Sequence, residues 1–115
     1  MKYFKIEEFN CDGEICFDKM DANLLKMLDY ARGYADTPFK LTSTWRSIEK
    51  NNSLKNSSKK SSHLKGMAVD IAWSDSVARQ KIVSGLIKAG FKRIGISKSF
   101  IHADNDSKTD AIWLY

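Results

Sequence analysis

The sequence holds 115 residues, 43% apolar and 29% charged, with 19 Lys and Arg against 14 Asp and Glu for a net charge of +5. That length suits one hydrophobic core rather than two, so residues 1–115 are expected to form a single domain, and the composition argues against wholesale disorder. No apolar run is long enough to span a bilayer, and Met1–Glu8 lacks the apolar centre of a secretory signal. The expectation is synthesis in a cytoplasm without a signal peptide and no membrane insertion.

The positive charge favours an acidic partner such as nucleic acid, anionic cell-wall polymer or a membrane surface, and solubility alone accounts for it equally well. Cys11 and Cys16 flank a Gly-containing segment. Two cysteines make no disulfide framework, so a local bridge and two reduced thiols both fit. Pairing them with the two histidines in one zinc site matches the spacing of no finger or ribbon.

Residues 1–17 read as an extended or irregular lead with Tyr3, Phe4, Ile6 and Phe9 to bury and Asp12-Gly13 as a turn. Met20, Leu24, Met27, Leu28, Ala31 and Tyr34 then recur at helical spacing. Asp18 or Asp21 is available as a cap, and the helix should stop before Thr37-Pro38, because proline disfavours helical geometry in the residue before it. Phe39–Ser43 alternates as a half-buried strand and delivers Thr44-Trp45-Arg46-Ser47 beyond its end. From Ile48 to Ser62 the chain turns to Lys, Asn and Ser, a long basic loop with room for a short helical turn.

Met67–Trp73 suits a buried strand. Period-two alternation puts Met67, Val69, Ile71 and Trp73 on one face and Ala68, Asp70 and Ala72 on the other. Ser74 is the expected cap of a helix over roughly 75–89, with Val77, Ile82, Val83, Leu86 and Ile87 for burial and Gly90 as its stop. Arg93–Ile96 and Phe100–Asp104 read as a hairpin turning at Ser97–Ser99, and Ala111–Tyr115 as a last short strand. The expected fold is α+β, a mainly antiparallel sheet with helices on one side.

His63 and His102 are the two histidines of the sequence. A catalytic zinc site with three protein ligands therefore needs a third donor from Asp, Glu or Cys. Asp70 points from the small-residue face of its strand, and Gly66 supplies a bend that lets His63 approach it. His102 belongs to a strand able to pair alongside 67–73. Two imidazoles and one carboxylate leave a fourth position for water, the arrangement of hydrolytic zinc.

Ser61-x-His63-x-x-Gly66-x-Ala68-x-Asp70, with the strand-borne His102 downstream, resembles the zinc D-Ala-D-Ala carboxypeptidases, the M15 peptidases, and within them subfamily A. That family includes phage endolysins that cut L-alanyl-D-glutamate bonds. The likeness extends to Leu41–Ser47, Gly90-Phe91, Ile94–Ile96, Phe100–Asp104 and Ala111–Tyr115, and the lead Lys5–Phe9 fits small single-domain members.

The resemblance implies a hedgehog/DD-peptidase-like fold, zinc on His63, Asp70 and His102, and Arg46 in the site against the substrate carbonyl or its oxyanion. It implies hydrolysis of peptidoglycan stem peptides at the bacterial cell wall, as by a phage lysis or wall-processing enzyme, and a monomer is expected. The sequence departs from the family at Ser99, where several members carry the general base. Asp104 is the expected substitute, since it shares a strand face with His102, with Asp106 and Glu49 behind it. Ser61 is expected to bond the His63 loop. Two other functions stay open. A zinc-containing, non-catalytic binding module of the same fold is one. A basic nucleic-acid binder is the other, for which the sequence shows no recognition motif.

Overall fold

The computed structural model describes residues 1–54 and 57–115, so Lys55 and Asn56 of the basic loop lie outside the described residues. After a 3-10 turn at Ile6–Glu8, strands β1 (Asn10–Cys11) and β2 (Glu14–Ile15) form a small hairpin. Asp12 and Gly13 close it at φ 50° and 87°, the positive-φ pair that a tight two-residue hairpin demands. The lead buries Phe4 and Phe9 and leaves Tyr3 and Ile6 exposed.

Helix α1 (Ala22–Ala35) starts at Asp21, whose carboxylate accepts the Leu24 N–H at 3.0 Å. It ends at Asp36, held at φ 51°, just ahead of Thr37-Pro38. Its buried stripe is Leu24, Leu28, Ala31 and Ala35, not the expected Tyr34, which stays exposed. The reason lies in the partner helix: Gly85 sits so close that a Cβ there would lie 2.5 Å from the Ala31 oxygen and 2.8 Å from the Ala35 Cβ. Only small residues fit that crossing.

Strand β3 (Lys40–Ser43) is followed by a short helix α2 (Ile48–Ser53), the helical turn for which the basic loop was expected to have room. Ser47 starts α2 by accepting the Lys50 N–H at 3.1 Å. A 3-10 turn at Ser62–Lys65 leads into β4 (Ala68–Ala72), then α3 (Ser76–Lys88). Asp75, rather than the expected Ser74, caps α3 by accepting the Ala78 N–H at 2.8 Å. Both residue types make good caps, so local chemistry does not choose between neighbours. Ile82 and Leu86 are buried, while Val77 and Ile87, also expected inside, are exposed.

β5 (Arg93–Ile96) and β6 (Phe100–Asp104) form the expected hairpin, and β7 (Ala111–Leu114) closes the chain. The five-stranded sheet runs β3-β4-β6-β5-β7. Every pairing is antiparallel except β5 with β7, which is parallel, so the sheet is mixed rather than antiparallel throughout. The cause is topological. Asp104 and Ala111 both stand beside Arg93, so the chain hops over β5 and starts β7 at the end where β5 starts.

The period-two pattern divides this sheet by chemistry. Val69, Ile71, Ile94, Ile101 and Ala103 join one apolar core with Leu24, Leu28, Ile82 and Leu86 of the two long helices. Asp70, His102, Asp104 and Arg93 alternate with them and share the opposite face. Among the described residues, no helix is long and apolar enough to cross a membrane.

Candidate metal centre

β4 lies between β3 and β6, and its register sets Asp70 directly opposite His102. On their shared face Asp70 is flanked by Ala68 and Ala72, so methyl groups leave its carboxylate uncrowded. His63 comes from the 3-10 turn before β4, and Gly66 ends that turn in the left-handed region at φ 69°. A Cβ at Gly66 would stand 2.0 Å from the Lys19 carbonyl oxygen. Gly66→Ala is therefore expected to destabilise the fold by about 3 kcal/mol or more, combining left-handed strain with overlap against backbone. Urea unfolding checks this, and a loss within 0.5 kcal/mol, about the size of a neutral surface change, would contradict it.

The segment after β3 braces the His63 turn along its length. The His63 Nδ1–H donates to the Thr44 carbonyl at 2.7 Å, the Arg46 N–H to the His63 carbonyl at 3.1 Å, and the Trp45 Nε1–H to the Leu64 carbonyl at 3.2 Å. Ser61 accepts the His63 N–H at 3.3 Å, as expected from the sequence.

One potential ligand atom from each of His63, Asp70 and His102 lies within 4.8 Å of the other two, and all three residues are buried. Asp70 Oδ1 is 3.3 Å from His63 Nε2 and 3.1 Å from His102 Nδ1. Burial by itself would raise the Asp70 pKa, but hydrogen bonds and charge from His102 and His63 outweigh it and hold the carboxyl at about 2. Burial likewise works to lower His102, and the Asp104 and Asp70 carboxylates reverse this and raise it.

The donor chemistry fits a cation. His63 Nδ1 faces a carbonyl and His102 Nε2 faces the Asp104 carboxylate at 2.7 Å, so each ring has its proton drawn to the outer nitrogen. The inner nitrogens of both rings converge on the same carboxylate oxygen, either as protonated donors to it or, with their lone pairs free, as fellow ligands of a cation held between the three groups. Two imidazoles and a carboxylate, each imidazole backed by an oxygen acceptor, form a donor set suited to zinc.

Asp104, expected from the sequence to take a proton, stands on the far side of the His102 ring from Asp70. It is 1% exposed, and both its oxygens are engaged: Oδ2 by His102, Oδ1 by the Arg93 Nε–H at 2.8 Å and the Asp106 N–H at 3.1 Å. Ser99 and Glu49 are exposed, Ser99 in the hairpin turn and Glu49 on α2. Asp106 is tied into the His63 turn instead, accepting from Ser62 Oγ at 2.7 Å and from Lys65 Nζ at 3.2 Å.

Burial would raise the Asp106 pKa, but those bonds and the Ser107 N–H hold it at about 2 against an ordinary 3.8. A pKa depressed on folding contributes stability that is complete above the unfolded value and disappears as pH falls toward the folded one. Asp106→Asn should therefore cost about 1.5–3 kcal/mol near neutrality, the scale of a hydrogen bond to a charged group. The loss should shrink to nothing between roughly pH 4 and pH 2. Urea titrations across that window check it, and a pH-independent loss would refute the assignment.

The donors open on a cleft of about 500 Å³ whose walls include Arg46, Leu54, Phe100, Lys108 and Tyr115. The Arg46 guanidinium is fixed at three points: Nε donates to Ser43 Oγ at 3.2 Å, Nη1 to Asn51 Oδ1 at 3.4 Å, and Nη2 lies 3.5 Å from Asp70 Oδ2. Asn51, 1% exposed, also donates from Nδ2 to the Ser58 carbonyl at 2.8 Å and so joins Arg46 to the cleft wall. Sequence reasoning missed Asn51 and Arg93, since one Asn in a polar stretch and one Arg opening a strand carry no signal.

The sequence model of the Peptidase M15 family matches residues 2–104, from the lead through the end of β6. The chain belongs to the M15 peptidases. No curated protein and no solved structure gives a match. As an M15 peptidase it is a hydrolase with a peptide for substrate, and among the described residues the buried His63–Asp70–His102 set at its cleft could hold a metal ion.

Proposed function

We propose that this M15 peptidase is a zinc enzyme that hydrolyses peptide bonds in bacterial peptidoglycan stem peptides, as a monomer of the phage-lysis or wall-processing kind. The observation that carries the proposal is the convergence of three donors at the floor of a cleft, with each imidazole held from behind by an oxygen acceptor. His63 through Nε2, Asp70 through its carboxylate and His102 through Nδ1 would hold the ion. Bound there, zinc supplies a Lewis acid for the scissile carbonyl and a water of lowered pKa.

The chain's own side chains do the remaining work. Arg46, fixed beside Asp70, offers its guanidinium to the carbonyl oxygen as negative charge develops on it. Thr44 and Asp104 keep the ring protons on the outer nitrogens of His63 and His102, which leaves the inner lone pairs free. Asp104 thus serves as a positioning carboxylate rather than as the base expected from the sequence. Exposed Lys59 and Lys60, beside the cleft-lining Ser57, Ser58 and Ser61, suit an anionic wall polymer.

A second reading has one specific observation behind it. Among the described residues, the carboxylates that line the cleft are Asp70 and Asp104, and both are already engaged. That favours a zinc-containing binding module of the same fold. Metal analysis of purified protein, together with peptide release from purified peptidoglycan, separates the two. One zinc per chain with chelator-sensitive release is the expected result. Zinc without release would mean the binding module, and protein that takes up no zinc would overturn both.

A further inference from the structure

We propose that Arg93 is a positioning residue of this centre, bracing the His102 imidazole from two directions at once; the proposal rests on the zinc assignment above. Arg93 opens β5 directly across from Asp104 and projects onto the same sheet face as His102. Its Nε–H donates to Asp104 Oδ1 at 2.8 Å, and the other oxygen of that carboxylate receives His102 Nε2 at 2.7 Å. The guanidinium therefore aims the group that aims the imidazole.

The second direction is through Trp113. The guanidinium carbon lies 5.0 Å from the Trp113 ring centroid, and that ring lies 5.4 Å from the His102 ring. Gly95 makes the approach possible. It pairs with both His102 and Trp113, and a Cβ on it would sit 2.6 Å from the indole. Arg93 Nη1 also donates to the Thr109 carbonyl, which ties down the connection between β6 and β7.

Burial separates this role from general surface charge. The Arg93 side chain is 16% exposed and that of Asp104 1%, so the pair is largely withdrawn from water. Removing the cation would leave a buried carboxylate with a weaker hold on its position, and the imidazole would lose both the aim of Nε2 and the packing of its indole neighbour. Arg93 also lines the cleft, so direct substrate binding is the competing role.

Zinc affinity, measured by competition with a chromophoric chelator, distinguishes them without any turnover. So does the visible absorption spectrum of the cobalt-substituted protein. Arg93→Gln is expected to weaken zinc by roughly 10–100-fold and to shift the cobalt bands, the scale and signature of a lost outer partner. Arg93→Lys should recover part of the affinity, since an ammonium reaches Asp104 but cannot also lie flat on the indole.

In an Asp104→Asn background, Arg93→Gln should cost less than it does alone, because the route through Asp104 is already broken and only the Trp113 contact is left to lose. Unchanged affinity and spectrum with a raised KM would overturn the proposal in favour of substrate binding. Fully additive losses would overturn it as well. If Arg93→Gln fails to fold by circular dichroism, Arg93→Lys alone and with Asp104→Asn carries the same comparison. Wild-type protein without zinc affinity would instead defeat the zinc assignment itself.

Discussion

Asp70→Asn is expected to yield a folded protein that neither retains zinc nor hydrolyses peptide. The substitution keeps the shape of the side chain and removes the one anionic donor among His63, Asp70 and His102. The two imidazoles that remain are neutral and present a divalent ion with no charge compensation in a buried site. The affinity lost should exceed the roughly 10–100-fold that outer partners typically account for.

Fold should survive because Asp70 sits on the cleft face, while its neighbours Val69 and Ile71 hold β4 to the apolar core. Metal analysis, circular dichroism and turnover on one preparation check the prediction. Stoichiometric zinc in Asp70→Asn would show that the ion sits elsewhere or that the two histidines suffice. The same change at Asp106, which lies outside the donor set, should leave zinc in place and lower stability near neutrality, with the loss fading as pH falls toward 2.

How far this site could be read in advance depends on whether the deciding contacts are local. The face of Asp70 follows from alternation along β4, because side chains on a strand point to opposite faces by covalent geometry. The turn at Asp12-Gly13, the end of α1 ahead of Pro38 and the bond from Ser61 to the His63 backbone are likewise fixed within a few residues. The scarcity of histidine and the pairing of two strands already pointed to His102 as a partner of His63 and Asp70, and the family motif implies the same set.

What escaped was decided by distant partners. Tyr34 stays outside because Gly85, on another helix, brings backbone against Ala31 and Ala35. β7 is parallel to β5 because the link from Asp104 to Ala111 stays at one end of the sheet. Arg93 reaches Asp104 only through the register of β5 against β6, and Asn51 reaches Arg46 only because the helical turn of the basic loop forms at Ile48–Ser53 and carries it there. Asp104 is the instructive case. Sharing a face with His102 was correctly legible, but whether its oxygens faced the cleft or the back of the ring was set by Arg93 and the Asp106 amide.

Arg46→Met should lower kcat by about 10²–10³-fold while zinc content stays unchanged, the usual cost of deleting one donor to a developing oxyanion. Three contacts hold the guanidinium without consuming all its donors: Ser43 takes Nε, Asn51 takes Nη1 at a long 3.4 Å, and Nη2 sits 3.5 Å from Asp70 Oδ2. Its Nη groups are therefore oriented yet only weakly engaged, as a donor that strengthens its bond during the reaction must be. Arg46→Lys should recover little, since one ammonium cannot keep the Ser43 and Asn51 contacts and still reach the cleft. Asn51→Ala should produce a smaller loss in kcat, as Arg46 loses an anchor but keeps its charge. A rise in KM with kcat unchanged in Arg46→Met would reassign the guanidinium to holding the substrate in its ground state. Loss of zinc in Arg46→Met would instead mean that Arg46 matters to the site chiefly by orienting Asp70.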